Sequence, residues 1–223
     1  MKLRTRLRSL FIIVLLVWAY PSIDSIIIGS IPIIIGQIIH FISAGYLVKQ
    51  EKLITAGPYR FVRNPFYVGS FLVDVGLCLV TRNIYVAAVY LPLFYLVVIN
   101  WRVRKEEAFL RAQFGGKYDE YCRLAPRIIP RLWPARIPEP NGRFDWGLIW
   151  KYREQWRLLR IFGLIVFFYL RTITPFNLSK ISDTVAALRK YPNLPFAVIL
   201  LFILCFPPIY EFILKPLWKT VKK

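Results

Sequence analysis

Apolar residues fall along this chain in six continuous blocks, at residues 10–20, 26–48, 67–80, 84–101, 158–170 and 194–214. None shows the period-two alternation of a half-buried strand, so each block reads as a helix. A hydrocarbon layer of roughly 30 Å needs about 20 helical residues. The first and third blocks are short and must borrow flanking residues to cross it. Gly29, Pro32, Gly36 and Gly45 interrupt the second block, which spanning helices tolerate where neighbours satisfy the backbone. Pro21, Ser22 and Asp24 break the chain between the first two blocks. Thr81, Arg82 and Asn83 turn it between the third and fourth, predicting a helical hairpin. Asp74 lies inside the third block and must face protein or water rather than lipid. Residues 102–160 are too charged to span. Their start predicts a helix closed by Gly115. Block 158–170, bounded by Arg157, Arg160 and Arg171, is the weakest of the six. Residues 177–193 read as an interfacial connector, and Pro195, Pro207 and Pro208 punctuate the last block. The fold expected is an all-α polytopic membrane helix bundle with about six spans.

Composition agrees. The 223 residues are 57% hydrophobic with a mean hydropathy of +0.49, too apolar for a soluble chain of this length. A net charge of +19 would suggest nucleic acid on a soluble protein, but here topology explains it. With the N-terminus inside, the inner segments 1–8, 49–67, 102–160 and 215–223 hold 4, 4, 14 and 4 Lys and Arg, 26 in all, against 5 outside. That asymmetry follows the positive-inside rule, and without the long segment it is still 12 against 5. The basic, then apolar N-terminus has no small-x-small cleavage site before Pro21 and reads as a retained anchor. Cys78, Cys122 and Cys205 show no ligand spacing, and with one histidine, His40, no bound metal is expected. His40 lies in an apolar block, where a hydrogen-bonded structural role weighs at least as much as a functional one.

One polar, punctuated run separates two very apolar ones: Gly57 to Gly69, reading G-P-Y-R-F-V-R-N-P-F-Y-V-G. Gly57-Pro58 and Asn64-Pro65 are turn dipeptides, since proline fixes its own φ and pushes the preceding residue out of the helical region. This loop and the polar region after Trp101 flank one hairpin, so both reach the same end of the bundle. That predicts a cytosolic cleft holding Tyr59, Arg60, Arg63, Asn64, Tyr67, Glu106 and Glu107. Arginine grips carboxylate or phosphate in two-pronged fashion, a glutamate accepts from a hydroxyl or ammonium, and aromatic faces suit a cation. Spacing alone favours a plainer reading, with the arginines on lipid phosphates and the glutamates paired to Arg102 or Arg111 along a helix.

The loop, followed by R-K-E-E-A-F-L-R-A-Q-F-G-G-K-Y-D-E-Y-C-R-L-A-P-R-I-I-P, resembles the signature of the isoprenylcysteine carboxyl methyltransferase and phospholipid methyltransferase superfamily. The likeness runs from about Gly45 to Pro134, with both halves in order around a hairpin. It implies a bundle of membrane helices with a cytosolic S-adenosyl-L-methionine pocket formed by loops and a polar helical segment. The chain then divides into two N-terminal spans at 1–48, a methyltransferase core at 49–134, and an amphipathic segment with about two spans at 135–223. The resemblance implies cofactor contacts from Glu51, Leu53, Ile54, Tyr59, Arg63, Asn64, Pro65, Tyr67, Glu106 and Glu107. Arg102 and Glu106 match catalytic positions, Arg102 toward the substrate and Glu106 toward the cofactor. Tyr118, Tyr121, Arg127 and Pro130 match a lid. Many family members have Arg-His-Pro where this chain has Arg63-Asn64-Pro65, and asparagine cannot shuttle a proton near neutral pH.

The activity implied is methyl transfer to a lipid-like acceptor, either a prenylcysteine carboxylate or a phospholipid amine, with membrane lipids around it and no nucleic acid. Two alternatives stand beside it. A membrane reductase using NADPH has a similar architecture, although no Gly-x-Gly-x-x-Gly fingerprint is present. A non-enzymatic basic scaffold would bind anionic lipid in a salt-sensitive way, indifferent to Glu106.

Overall fold

A computed structural model describes residues 2–48 and 52–173. Glu51, the connector 177–193 and the last apolar block, 194–214, lie outside the described residues. All the described regular structure is helical.

Helix α1 (Lys2–Trp18) begins inside the basic N-terminal run, earlier than the apolar block alone predicts. Helix α2 (Ile23–Tyr46) starts at a reciprocal cap: Ser22 Oγ accepts from the Ser25 amide while Ser25 Oγ accepts from the Ser22 amide. Helix α3 (Pro65–Thr81) opens on a proline, whose missing N–H is no loss in a first turn. It starts two residues before the block boundary and stops at Arg82, in the left-handed region at φ 55°. The expected hairpin follows: α4 (Ile84–Val97) runs through a π-helical turn, Val98–Val103, into α5 (Arg104–Phe114) without a break. Gly115, at φ +53°, ends α5 as predicted. Helices α6 (Gly116–Leu124), α7 (Trp146–Lys151) and α8 (Glu154–Ile173) complete the described chain.

Helices α2 and α3 form the centre because glycines let their backbones touch. A Cβ on Gly36 would stand 2.5 Å from the Gly69 carbonyl oxygen, and one on Gly69 would stand 2.7 Å from that of Gly36. Gly29 and Gly76 make the same reciprocal contact seven residues along each helix. Small residues are the usual means of close helix approach in a bilayer, where no hydrophobic force drives helices together. Helix α1 lies on α4 and α3, with the Phe11 ring stacked on Tyr90 at 3.6 Å between centroids. Asp74 is fully buried, as its position required, and accepts from the Tyr90 hydroxyl at 3.1 Å. Helix α8 packs on α2 and reaches α1, where Arg171 Nη1 donates to the Leu16 carbonyl at 2.6 Å.

The outer face of α2 carries Ile27, Ile28, Ile31, Ile34, Ile35, Ile38 and Ile42, each 41–60% exposed. A contiguous aliphatic stripe of that kind belongs against lipid or another apolar partner. By length and composition two described helices can cross a membrane, Ile23–Tyr46 and Ile84–Phe114; α3 is apolar but shorter.

The helix directions bring four termini to one end of the bundle: the end of α2, the start of α3, the continuous passage into α5, and the start of α8. Residues 125–145 run back beside residues 53–64 and are stitched to them by backbone hydrogen bonds. Arg63 N donates to Pro126 O at 2.8 Å, Ala135 N to Arg60 O at 2.8 Å, and Thr55 N to Asn141 O at 2.9 Å.

Candidate functional site

At that end a cavity of about 740 Å³ opens between the helices, within the roughly 300–1,000 Å³ of small-molecule sites. Leu53, Ile54, Tyr59, Arg63, Asn64, Pro65 and Tyr67 line it on the loop side. Arg102, Lys105, Glu106, Phe109 and Leu110 line it from the long helix. The structure therefore brings together every described residue of the expected cofactor-contact set except Glu107, and Arg60, expected in the same cleft, is also outside the lining.

Glu106 is the best-organised charge in this wall. The Tyr67 hydroxyl donates to its Oε2 at 3.0 Å, and Arg102 Nε donates to Oε1 at 2.8 Å. About 40% of each charged side chain remains exposed. An ion pair that open contributes only about 0–1 kcal/mol to stability. Its effect is to aim a carboxylate, with lone pairs left over, at whatever enters the cavity. The π-helical turn just before α5 sets this aim, because one extra residue per turn rotates Arg102 and Glu106 relative to α4.

Glu107 faces elsewhere. It is buried and takes Arg63 Nη1 on Oε1 at 2.9 Å and Arg127 Nη2 on Oε2 at 2.7 Å. It thus clamps the loop and the segment after α6 to the long helix. Arg63 also donates to Cys122 Sγ, while its buried Nε has no hydrogen-bond partner among the described residues. Arg60, expected in the cleft, instead turns back to the segment 125–145 and donates from Nε to the Ala135 carbonyl at 3.0 Å. Asn64 uses its side-chain amide to hold the segment after α6, donating to the Arg127 carbonyl at 3.0 Å. At the position where the resemblance implies histidine in many members, this chain has a structural tie.

An aromatic floor lies beneath the loop. The Tyr121 hydroxyl donates to Tyr59 O at 2.7 Å, and the rings of Tyr118 and Tyr121 meet edge to face. Burial, then the charges of Tyr152 and Glu106, raises the Tyr59 phenol far above its ordinary value. Burial, then Tyr59, does the same to Tyr121. Burial and then Glu107 raise Tyr118, with Arg63 pulling the other way. All three are neutral hydrogen-bonding rings at neutral pH.

The opposite wall was not foreseen as functional. His40, Ser70, Tyr152, Glu154 and Arg157 line the same cavity from α2, α3, the turn after α7 and α8. His40 Nε2 lies 3.1 Å from Ser70 Oγ, and its Nδ1 lies 3.9 Å from Glu154 Oε2. Arg157 donates to Ser70 Oγ and to Gln37 Oε1, each at 3.2 Å. One signal was available in the sequence, an ionisable residue inside an apolar block. Nothing in the spacing joined it to residues more than a hundred positions away.

The donor set suits a zwitterionic nucleoside with a cationic centre. Glu106 can accept from hydroxyls or an ammonium, Arg63 has a buried N–H to give, and tyrosine rings can face positive charge.

Comparison with known proteins gives one family match and relatives of two kinds by name. Residues 11–117 match the phospholipid methyltransferase family. Over 97 residues the chain is 34% identical to the protein-S-isoprenylcysteine O-methyltransferase of Schizosaccharomyces pombe, covering 44% of this chain and 41% of that protein. It is 32% identical over 115 residues to a probable protein-S-isoprenylcysteine O-methyltransferase of Oryza sativa subsp. indica, covering 46% and 60%. Over 84 residues it is 37% identical to the nickel-cobalt-cadmium resistance protein NccN of Alcaligenes xylosoxydans xylosoxydans, covering 38% of each. The chain thus spans between about a third and three fifths of the length of these curated relatives. No solved structure matches it.

Proposed function

We propose, on the premise that residues 11–117 belong to the isoprenylcysteine carboxyl methyltransferase and phospholipid methyltransferase superfamily, that this chain is an integral-membrane methyltransferase. It takes S-adenosyl-L-methionine as donor and a lipid-like acceptor. The observation that carries the reading is the Glu106 carboxylate, held by Tyr67 and Arg102 at a cavity of cofactor size.

Bound S-adenosylmethionine supplies a methyl carbon already activated by positive sulfur. The protein has to align donor and acceptor in line and keep water away. Glu106 accepts from the cofactor's hydroxyl or ammonium groups. Tyr59 and Tyr67 offer aromatic faces, Leu53 and Ile54 bracket the apolar part, and Arg63, Asn64 and Pro65 shape the loop. Glu51, from the same stretch, joins this set. Glu107 acts through the Arg63 it fixes. Arg102, with its guanidinium half-exposed beside Glu106, orients an anionic group of the acceptor. In this reading the basic end of the bundle is cytoplasmic, about six spans cross the membrane, and the acceptor enters sideways from lipid.

The test is calorimetric titration of S-adenosylmethionine into detergent-solubilised protein, with NADPH titrated in parallel. Saturable binding is expected, weakened at least tenfold in Glu106→Ala. The variant stays folded because the pair it breaks is half-exposed. Affinity unchanged in Glu106→Ala removes Glu106 from the site, and binding of NADPH alone would make the protein a reductase.

A further inference from the structure

The wall opposite Glu106 holds an imidazole, a hydroxyl, a carboxylate and a guanidinium together where α2, α3 and α8 meet at one end of the bundle. His40 is 1% exposed, Ser70 7% and Glu154 8%. Burying such groups is unfavourable unless they are paired. Next to them Gln37 Nε2 is buried with no hydrogen-bond partner among the described residues. The packing also makes deliberate room for the ring, since a Cβ on Gly69 would stand 2.7 Å from His40 Cδ2. Glu154 and Arg157 come from α8, which lies beyond the family match at residues 11–117.

We propose that Ser70, His40 and Glu154 form a proton relay at the acceptor end of the cavity, and that the acceptor's reacting atom is an amine nitrogen rather than a carboxylate oxygen. The proposal rests on the methyltransferase reading. Arg157 donates to Ser70 Oγ, which leaves the Ser70 proton to point at His40 Nε2. Glu154 Oε2, 3.9 Å from Nδ1 and so beyond direct hydrogen-bond distance, favours the proton on Nδ1 through its charge. Among the described residues, the groups facing His40 include Ser70 and the Phe66 ring from α3 and Glu154 from α8, with Arg157 on the same cavity wall. Tyr152 and Tyr59 line the cavity nearby. An ammonium acceptor gives one proton to Ser70 Oγ as the serine proton passes to Nε2, and the imidazolium formed is balanced by Glu154. The freed nitrogen lone pair forms the N–C bond as the C–S bond breaks, with the C–S electron pair staying on sulfur. The product is an N-methylammonium, and the imidazolium proton returns to water once the product leaves. A carboxylate acceptor has no proton to lose and would leave this wall without a task.

Because His40 is the only histidine in the chain, the relay has a readout besides turnover. Nitrogen-15 labelling of histidine gives one imidazole, expected neutral with its proton on Nδ1 at pH 7. An imidazolium persisting through the neutral range would make the pair a fixed salt bridge and overturn the proposal. The activity test supplies labelled S-adenosylmethionine with vesicles containing phosphatidylethanolamine or, separately, a farnesylcysteine carboxylate. Transfer to the amine is expected, with a rate falling on the acid side. His40→Gln should lower it at least 100-fold with cofactor affinity unchanged. Should His40→Gln lose cofactor binding, Glu154→Gln takes its place and should shift the acid limb. Transfer to the carboxylate alone, transfer to neither probe by cofactor-bound protein, or amine transfer within threefold of normal in either variant overturns the relay. Failure of the unaltered protein to bind S-adenosylmethionine would instead overturn the reading beneath it.

Discussion

Replacing Glu107 by leucine should destabilise the protein while leaving the cavity's own carboxylate in place. The Glu107 side chain is 6% exposed, and that of its partner Arg63 is 11% exposed. Removing one member of a buried pair strands the other charge and costs about 3–5 kcal/mol. Arg63 keeps its contact with Cys122 Sγ, which argues for the lower end, about 3 kcal/mol. The second arginine adds little: Arg127 is 43% exposed and can turn to water, worth about 0–1 kcal/mol. The expected loss is therefore a little over two decades in the folded-to-unfolded ratio, at about 1.4 kcal/mol per decade.

A double-variant cycle separates this clamp from direct cofactor contact. Glu107→Leu combined with Arg63→Met removes both charges, and replacing a buried pair by apolar residues is often close to neutral. Thermal or denaturant unfolding in detergent should show the single variant well below the parent and the double variant largely restored. Calorimetry on the double variant should show weaker S-adenosylmethionine binding, because Arg63 is gone from the cavity lining. A Glu107→Leu protein with unchanged stability and lost cofactor affinity would refute the clamp and return Glu107 to direct contact.

Three further outcomes follow from other parts of the molecule. Gly36→Val should separate α2 from α3, since even a Cβ would lie 2.5 Å from the Gly69 carbonyl oxygen; cross-linking between cysteines placed on the two helices should fall. Gly69→Ala should move His40 through its 2.7 Å approach to Cδ2, changing the histidine nitrogen spectrum without weakening cofactor binding. Tyr59, Tyr118 and Tyr121 should resist alkaline ionisation, because their folded-state values are raised above the ordinary phenol value. At pH above about 10 the unfolded chain has released those protons and the folded one has not, so their stabilisation is full below that pH and is lost as pH rises beyond it. Phenolate absorbance measured before and after unfolding would count them, and titration of every tyrosine in the folded protein at its ordinary value would contradict the burial argument.

Much of the fold was legible because long apolar helices announce themselves by continuous apolarity. The hairpin at Thr81–Asn83, the helix closed by Gly115 and the inward-facing Asp74 all follow from local rules about turns, caps and buried charge. The π-helical turn was not legible. Nothing in Val98–Val103 marks it, and it is resolved only by where Arg102 and Glu106 must point. Glu106 and Glu107 illustrate the same limit at single-residue scale. Adjacent and chemically identical, they sit about 100° apart on a helix, so one faces the cavity and the other the Arg63–Arg127 clamp.

The loop-side wall and the opposite wall differ in how the chain encodes them, and that difference bears on function. Tyr59 to Tyr67 and Arg102 to Glu107 are two compact motifs joined by one hairpin, so their meeting is fixed by local connectivity. His40, Ser70 and Glu154 come from three helices and meet only because the glycine contacts draw α3 against α2 and because α8 packs on α2. A cofactor shared across many proteins needs the first kind of wall, which stays the same whatever surrounds it. An acceptor that differs from one protein to the next needs the second, whose residues can change without disturbing the first. Under the proposed function the first wall is the donor end of the cavity. The second wall, to which α8 adds Glu154 and Arg157 from outside the matched residues, is where that proposal locates the choice of acceptor.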